Sequence, residues 1–263
     1  MDNKEEIVWS FSRINYSCLS DFYQNYILGR EGISNGWSDY GTFLHDLMEK
    51  AAKESISRKE AEMCFDSGWD SVETPGFPRF SIDLKPHYKK KCKPFFSPDN
   101  KRWLQGDTLS VEEHLVFTLP GGAKMQGYLD RVTSEVSIRD YKISKKFTKK
   151  NKKEKARQLY LYAFGYHQVH GVYPEWLIFE FFQDWLSPER IKFKIEDMQE
   201  AIYWAEARIE TLLDLIDRSD TEKGLFMPGE ELKEKNGSRD FFCMNLCSYR
   251  EDCPMTQGNY FKY

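Results

Sequence analysis

The sequence predicts an α/β fold, a mixed β-sheet flanked by helices. Three observations carry that expectation. Residues 111–143 read as an antiparallel meander turned by Pro120-Gly121-Gly122. The apolar run Trp176-Leu177-Ile178-Phe179-Glu180-Phe181-Phe182 has strand length and lies between two helical stretches. Residues 196–218 form the longest amphipathic helix, with Ile202, Ala205, Ile209, Leu212, Leu213 and Ile216 on one face. Helices packed on a mixed sheet bury its faces and give a layered α/β domain.

Each element follows in order. Residues 9–29 open with Trp9-Ser10-Phe11-Ser12-Arg13-Ile14 and read as a strand or turn entering an aromatic helix. Tyr40, Phe43, Leu44, Leu47 and Met48 recur at helical spacing, so 38–57 reads as a helix with Ser38 as its N-cap. Residues 58–105 hold Pro75, Pro78, Pro86, Pro94 and Pro98 and read as irregular, an insert or a lid. Strands follow at 111–119, 124–132 and 136–143, then a helix at 154–170. Strands at 175–182 and 190–195 precede the last helix, and the tail after Gly224 returns to loop and cysteine.

Composition excludes several classes. A chain of 263 residues buries enough surface to fold without staples, so one or two domains are expected. Aromatic content of 16% excludes a disordered chain, and 38 Lys+Arg against 42 Asp+Glu excludes a polycation. Nucleic-acid contact would then need a local basic patch. The acidic start Met1-Asp2-Asn3-Lys4-Glu5-Glu6 lacks the features of a secretory leader, and no apolar run reaches membrane-spanning length, so a cytoplasmic chain without membrane contact is expected. Six cysteines in that compartment argue for thiols or metal ligands.

Chemistry concentrates in Gly127-Tyr128-Leu129-Asp130-Arg131 and Asp140-Tyr141-Lys142. Alternation along a strand puts Asp140 and Lys142 on one face. Asp130 can oppose Asp140 only if the hairpin loop holds an odd number of residues. The sequence therefore predicts a three- or five-residue loop, or a bulge. Two carboxylates and a lysine converging there repel unless a cation joins them. Hard oxygen ligands suit Mg²⁺ or Mn²⁺, which polarises a phosphate and activates water. Lys142 would hold that water or offset transition-state charge. The plain alternative is a solvated hairpin.

Nine of the sixteen residues from Lys142 to Arg157 are basic. Among them Lys145, Lys146, Lys149, Lys150, Lys152, Lys153 and Arg157 form a candidate DNA-binding run starting at the site. Gln158 and Tyr162, four residues apart on a helix, can orient the lysine, the water or a phosphate. His45, four residues after Gly41, is a candidate metal ligand. His167 and His170 are three apart on a helix but have no acidic or thiol partner nearby in sequence. Cys243, Cys247 and Cys253 are closely spaced, with Cys18 the best fourth thiolate. Four thiolates would hold an iron–sulfur cluster or a structural zinc and clamp the tail onto the N-terminus. Cys64 and Cys92 read as free thiols.

This ordered set resembles the RecB-like branch of the PD-(D/E)XK nuclease superfamily, and within it the iron–sulfur members: the AddB nuclease domain and the CRISPR-associated and phage single-domain exonucleases. The likeness rests on Ser10-x-Ser12 leading to Cys18, Gly41-x3-His45, Gly127-x2-Asp130, Asp140-x-Lys142, Gln158-x3-Tyr162 and the trio Cys243, Cys247 and Cys253. The first gap of that trio is three residues here, where the family usually has two. The resemblance implies a restriction-endonuclease-like core in one nuclease domain over 1–263, with 58–105 as insert or lid and 225–263 as a metal-cluster tail packing on the N-terminal region. It implies that His45, Asp130, Asp140 and the Tyr141 backbone carbonyl hold Mg²⁺ or Mn²⁺, that Lys142 serves the attacking water, and that Gln158 and Tyr162 support the site. It also implies a [4Fe-4S] cluster, or structural Zn²⁺, on Cys18, Cys243, Cys247 and Cys253. The implied activity is hydrolysis of single-stranded DNA or DNA ends in recombination, repair or phage DNA metabolism, alone or beside a helicase, recombinase or CRISPR-adaptation partner. The alternatives are a catalytically inactive nucleic-acid-binding scaffold and a zinc-stabilised interaction module.

Overall fold

In a computed structural model, residues 7–77, 83–218, 226 and 241–253 are described. The chain runs β1 (Trp9–Ser10), α1 (Phe11–Ile14), α2 (Leu19–Phe22), α3 (Gly36–Ala52), α4 (Arg58–Gly68), α5 (Lys85–Phe96), β2 (Thr108–Thr118), β3 (Lys124–Thr133), β4 (Ser137–Lys142), α6 (Lys149–His170), β5 (Trp176–Phe181), β6 (Glu189–Lys192) and α7 (Ile195–Arg218). Mixed α/β architecture, as the sequence predicts, follows from this order and from the sheet. No helix among the described residues is long and apolar enough to cross a membrane.

The six strands form one sheet, with β1 parallel to β3, β4 parallel to β5, and β2–β3, β3–β4 and β5–β6 antiparallel. One edge of β3 carries β2 along its length. The other edge is shared. β1 pairs with it at Met125 and Gln126, and β4 at Arg131 and Val132. Gly127 to Asp130 lie between those two partners, so the sheet forks there. The β3–β4 loop is the three residues Ser134, Glu135 and Val136, closed by the Val136 amide donating to Thr133 O at 2.8 Å. An odd loop sets the register Arg131↔Arg139, which carries Asp130 opposite Asp140 at the fork.

Two cores flank the sheet. The larger joins α6, α7 and β1–β5 through residues such as Leu129, Ile138, Leu159, Phe179 and Ile209. The smaller joins α3, α4 and α5 to Tyr141 and Phe182. The fully buried Phe65, Trp69, Phe96 and Phe182 there are each worth about 1.5–3 kcal/mol in removed apolar surface. This corrects the irregular reading of 58–105. Pro86 sits in the first turn of α5, where no amide partner is lost, and Pro94 falls close to its end. Proline density there marks helix boundaries, not loop. The N-cap of α3 is also corrected. Asn35 Oδ1 accepts from the Trp37 and Ser38 amides, and Ser38 is the third helical residue, returning its hydroxyl oxygen to the Asn35 amide.

Of the tail 225–263, residues 226 and 241–253 are described. They lie against the N-terminal region. The buried Arg250 guanidinium donates to Ile33 O (3.1 Å) and Ser34 O (2.7 Å), Tyr249 Oη donates to Arg30 O (2.7 Å), and Arg30 pairs with Asp252 (3.0 Å).

Candidate active site

The fork explains how distant residues meet. Outside the β3–β4 ladder pairs, Asp130 turns its carboxylate toward β4 and accepts the Tyr141 amide at 2.7 Å. Its neighbour Arg131, 1% exposed, anchors the strand from the other side. That guanidinium donates to Gln105 O (3.2 Å), Leu104 O (3.1 Å), Gly106 O and Thr108 Oγ1 (2.9 Å), which satisfies a buried charge. Below β4, Arg139 and Glu180 form a buried ion pair at 2.5 Å.

Helix α3 brings His45 over the fork. Its Nε2 lies 2.8 Å from Tyr141 O, and Nδ1 lies 3.5 Å from Asp130 Oδ2. A carbonyl only accepts, so Nε2 carries the proton and Nδ1 presents its lone pair to Asp130. Burial lowers the imidazole pKa, which keeps it neutral. Burial, and then the nearby Asp140, push the Asp130 pKa up. Two lone-pair-bearing atoms facing one gap call for a proton or a cation between them.

A third candidate ligand comes from β2. Ligand atoms of His45, Glu112 and Asp130 all lie within 4.8 Å of one another, the one such trio among the described residues. The flanking pairs Val111↔Arg131 and Glu113↔Leu129 place Glu112 across from Asp130, and its backbone takes a φ of 49°. Left-handed backbone is costly for a glutamate and is retained where surroundings demand it. Burial, and then Asp130, raise the Glu112 pKa to about 7. Sequence reasoning missed this residue. The available signal was the break in alternation at Val111-Glu112-Glu113.

Asp140, Lys142, Gln158 and Tyr162 form a chain beside the trio. Lys142 Nζ lies 2.7 Å from Asp140 Oδ2 and 3.3 Å from Gln158 Oε1, and Gln158 Nε2 donates to Tyr162 Oη at 3.1 Å. Asp140 stays outside the 4.8 Å group but is close enough to act on Asp130. Gly127 lets α6 approach: a Cβ there would lie 2.3 Å from Tyr162 Cε1. A cavity of about 400 Å³ opens over these groups, lined in part by Gly41, His45, Glu112 and Lys142.

The basic run points elsewhere. Lys146 and Lys152 pair with Glu189, Lys153 with Glu200 at 2.7 Å, and Arg157 lies 4.7 Å over Trp204. Lys149, Lys152, Lys153 and Arg157 line a separate cavity of about 310 Å³ between α6 and α7. Lys145 is exposed on the loop before α6, and the side chain of Lys150 lies outside the described residues. His170 does find an acidic partner, Glu113 of β2 at 2.5 Å, and His167 stacks on Tyr173.

At the N-terminal end, Cys18 and Cys247 are both buried. The Cys247 thiol donates to Asp21 Oδ1 at 3.6 Å, and burial above all pushes its pKa up, with Asp21 and Cys18 adding to it. Cys243 and Cys253 are partly exposed, on the same short tail.

The forked mixed sheet thus gathers carboxylates, an imidazole and a lysine into a candidate metal site. The sequence pattern of the PD-(D/E)XK nuclease superfamily matches residues 8–254. The chain belongs to that superfamily, and it is a nuclease by membership. A solved protein from Eubacterium rectale, named "Putative exonuclease", is similar at 13% identity and a TM-score of 0.45, over 81% of this chain and 86% of that one. No curated protein matches the chain.

Proposed function

We propose that the chain is a divalent-metal-dependent DNA nuclease, an exonuclease acting on single-stranded DNA or DNA ends. The observation that carries this reading is the convergence of His45, Glu112 and Asp130 on one gap, beside Asp140 and Lys142. The donor set fits Mg²⁺ or Mn²⁺, with carboxylate oxygens, one imidazole and carboxyl pKa values raised by burial and by the neighbouring carboxylates. When bound, such a cation polarises the scissile phosphate and lowers the pKa of its water. Asp130, Glu112 and His45 hold it, with Asp140 and the Tyr141 carbonyl adjoining. Lys142, fixed between Asp140 and Gln158, orients the attacking water for in-line displacement and offsets charge on the phosphate. Tyr162 fixes Gln158. At the tail, the buried pair Cys18 and Cys247 supports a [4Fe-4S] or zinc site completed by Cys243 and Cys253.

The test is cleavage of labelled single-stranded DNA with free, 5′-blocked and 3′-blocked ends, in Mg²⁺, in Mn²⁺ and in chelator, with an RNA arm. Cleavage is expected in metal only, and one blocked end should stop it. Lys142→Ala should abolish cleavage while leaving DNA binding largely intact. Cutting by that variant at the native rate would overturn the assignment.

A further inference from the structure

Tyr128 is an aromatic side chain on the central strand β3, yet it is 53% exposed. Its cross-strand partner is His114 of β2. The two rings stack with centroids 4.5 Å apart and planes inclined by 16°. His114 Nε2 lies 3.1 Å from Gln126 Oε1, which holds the imidazole in that plane. Val116, 52% exposed and paired with Gln126, extends the apolar surface.

The position of this stack gives it meaning. Tyr128 lies two residues before Asp130 on β3, about 6.6 Å away along the strand. Glu112 lies two residues before His114 and meets Asp130 in the candidate ligand trio. At the Asp130 end the strand is covered by His45 of α3, and at the Tyr128 end the aromatic ring is open to solvent. A flat, supported π-surface thus lies beside the carboxylates. Bases in a duplex keep their faces against one another, whereas an unpaired base has a face free to stack.

We propose that the Tyr128–His114 pair is a stacking platform for an unpaired nucleobase of the substrate strand, adjacent to the scissile phosphate. This rests on the nuclease reading and deepens it. The platform would favour single strands and frayed ends over closed duplex. Stacking needs no base-specific hydrogen bond, so it would tolerate any sequence. Tyr128 is a positioning and specificity residue for the substrate, and the metal site is complete without it.

The experiment compares the wild type with Tyr128→Ala, Tyr128→Phe and His114→Ala. Fluorescein-labelled oligothymidylate is the probe, intact or with one abasic position moved along it. Binding is read by anisotropy in chelator and cleavage separately in Mg²⁺. Tyr128→Ala should weaken single-strand binding roughly fivefold or more, while Tyr128→Phe stays within about twofold of wild type. One abasic position should weaken the wild type by as much and leave Tyr128→Ala unchanged, since the two changes remove the same contact. Native binding by Tyr128→Ala, or abasic effects equal in both proteins at every position, would overturn the platform. The binding pattern without any cleavage would support the platform and overturn the nuclease reading. Cleavage by the wild type that Tyr128→Ala matches on every substrate would do the reverse.

Discussion

The carboxylate of Asp130 accepts the backbone amide of Tyr141 across the fork between β3 and β4, at 2.7 Å. One side chain therefore does two things. It replaces a missing rung of the sheet, and it stands in the ligand trio. The two roles separate in variants. Asp130→Asn keeps an oxygen acceptor for the amide and removes the charge. It should fold as stably as wild type and lose metal-dependent cleavage. Asp130→Ala leaves the Tyr141 amide without its acceptor and should cost a further 1–3 kcal/mol or so in denaturant unfolding. Equal stability losses in the two variants would show that the bond does not hold the fork.

Stability in chelator should fall as pH rises. Burial and Asp130 lift Glu112 from 4.5 to about 7, and Asp130 is lifted as well. A carboxyl whose folded pKa is raised binds its proton more tightly in the folded state. Its contribution is fully present below the unfolded value near 4.5 and is lost as pH climbs through about 7. Thermal melts in chelator should therefore decline over that window, and Glu112→Gln should flatten the decline. Metal affinity should run the opposite way, because the cation displaces the same protons. Identical pH slopes for wild type and Glu112→Gln would remove Glu112 from the site.

Gly127 is needed for space. Its absent Cβ would sit 2.3 Å from the Tyr162 ring, on the helix that carries Gln158. Gly127→Ala should cost about 1–3 kcal/mol through overpacking and loosen the Gln158–Lys142 contact. Adding Tyr162→Ala should relieve the clash. The double variant should then be more stable than the sum of the singles by over about 1 kcal/mol. Simple additivity in urea unfolding would show that the ring is free to move aside.

The sequence made part of this site legible and hid the rest for identifiable reasons. Asp130, Asp140 and Lys142 were readable because strand alternation and loop parity are local rules. The demand that Asp130 and Asp140 face each other left a three-residue loop, a five-residue loop or a bulge, and the loop has three residues. Glu112 was hidden, since its part depends on a left-handed residue inside a strand and on a partner eighteen positions away. The direction of the lysine run was hidden too. Helix α6 begins at Lys149, earlier than the 154 read from the pattern, and its turn carries Lys149, Lys153 and Arg157 toward α7. The helices of 58–105 were masked by prolines whose position within a turn, not their number, decides their effect.

The tail offers the last prediction. Cys18 and Cys247 are both buried, and burial, with Asp21 beside it, disfavours the Cys247 thiolate unless a cation takes it up. On the iron–sulfur reading, anaerobically purified protein should be brown and carry iron in place of zinc. Because Arg250, Tyr249 and Asp252 also tie the tail to residues 30–34, Cys247→Ser should lose the colour while keeping part of that contact. Limited proteolysis should cut the tail faster in the variant than in the wild type, and oxidative bleaching of the wild type should reproduce that change. Colourless protein with one zinc per chain would assign the thiols to zinc, and metal-free protein with an equally protected tail would leave the protein contacts as the whole of the clamp.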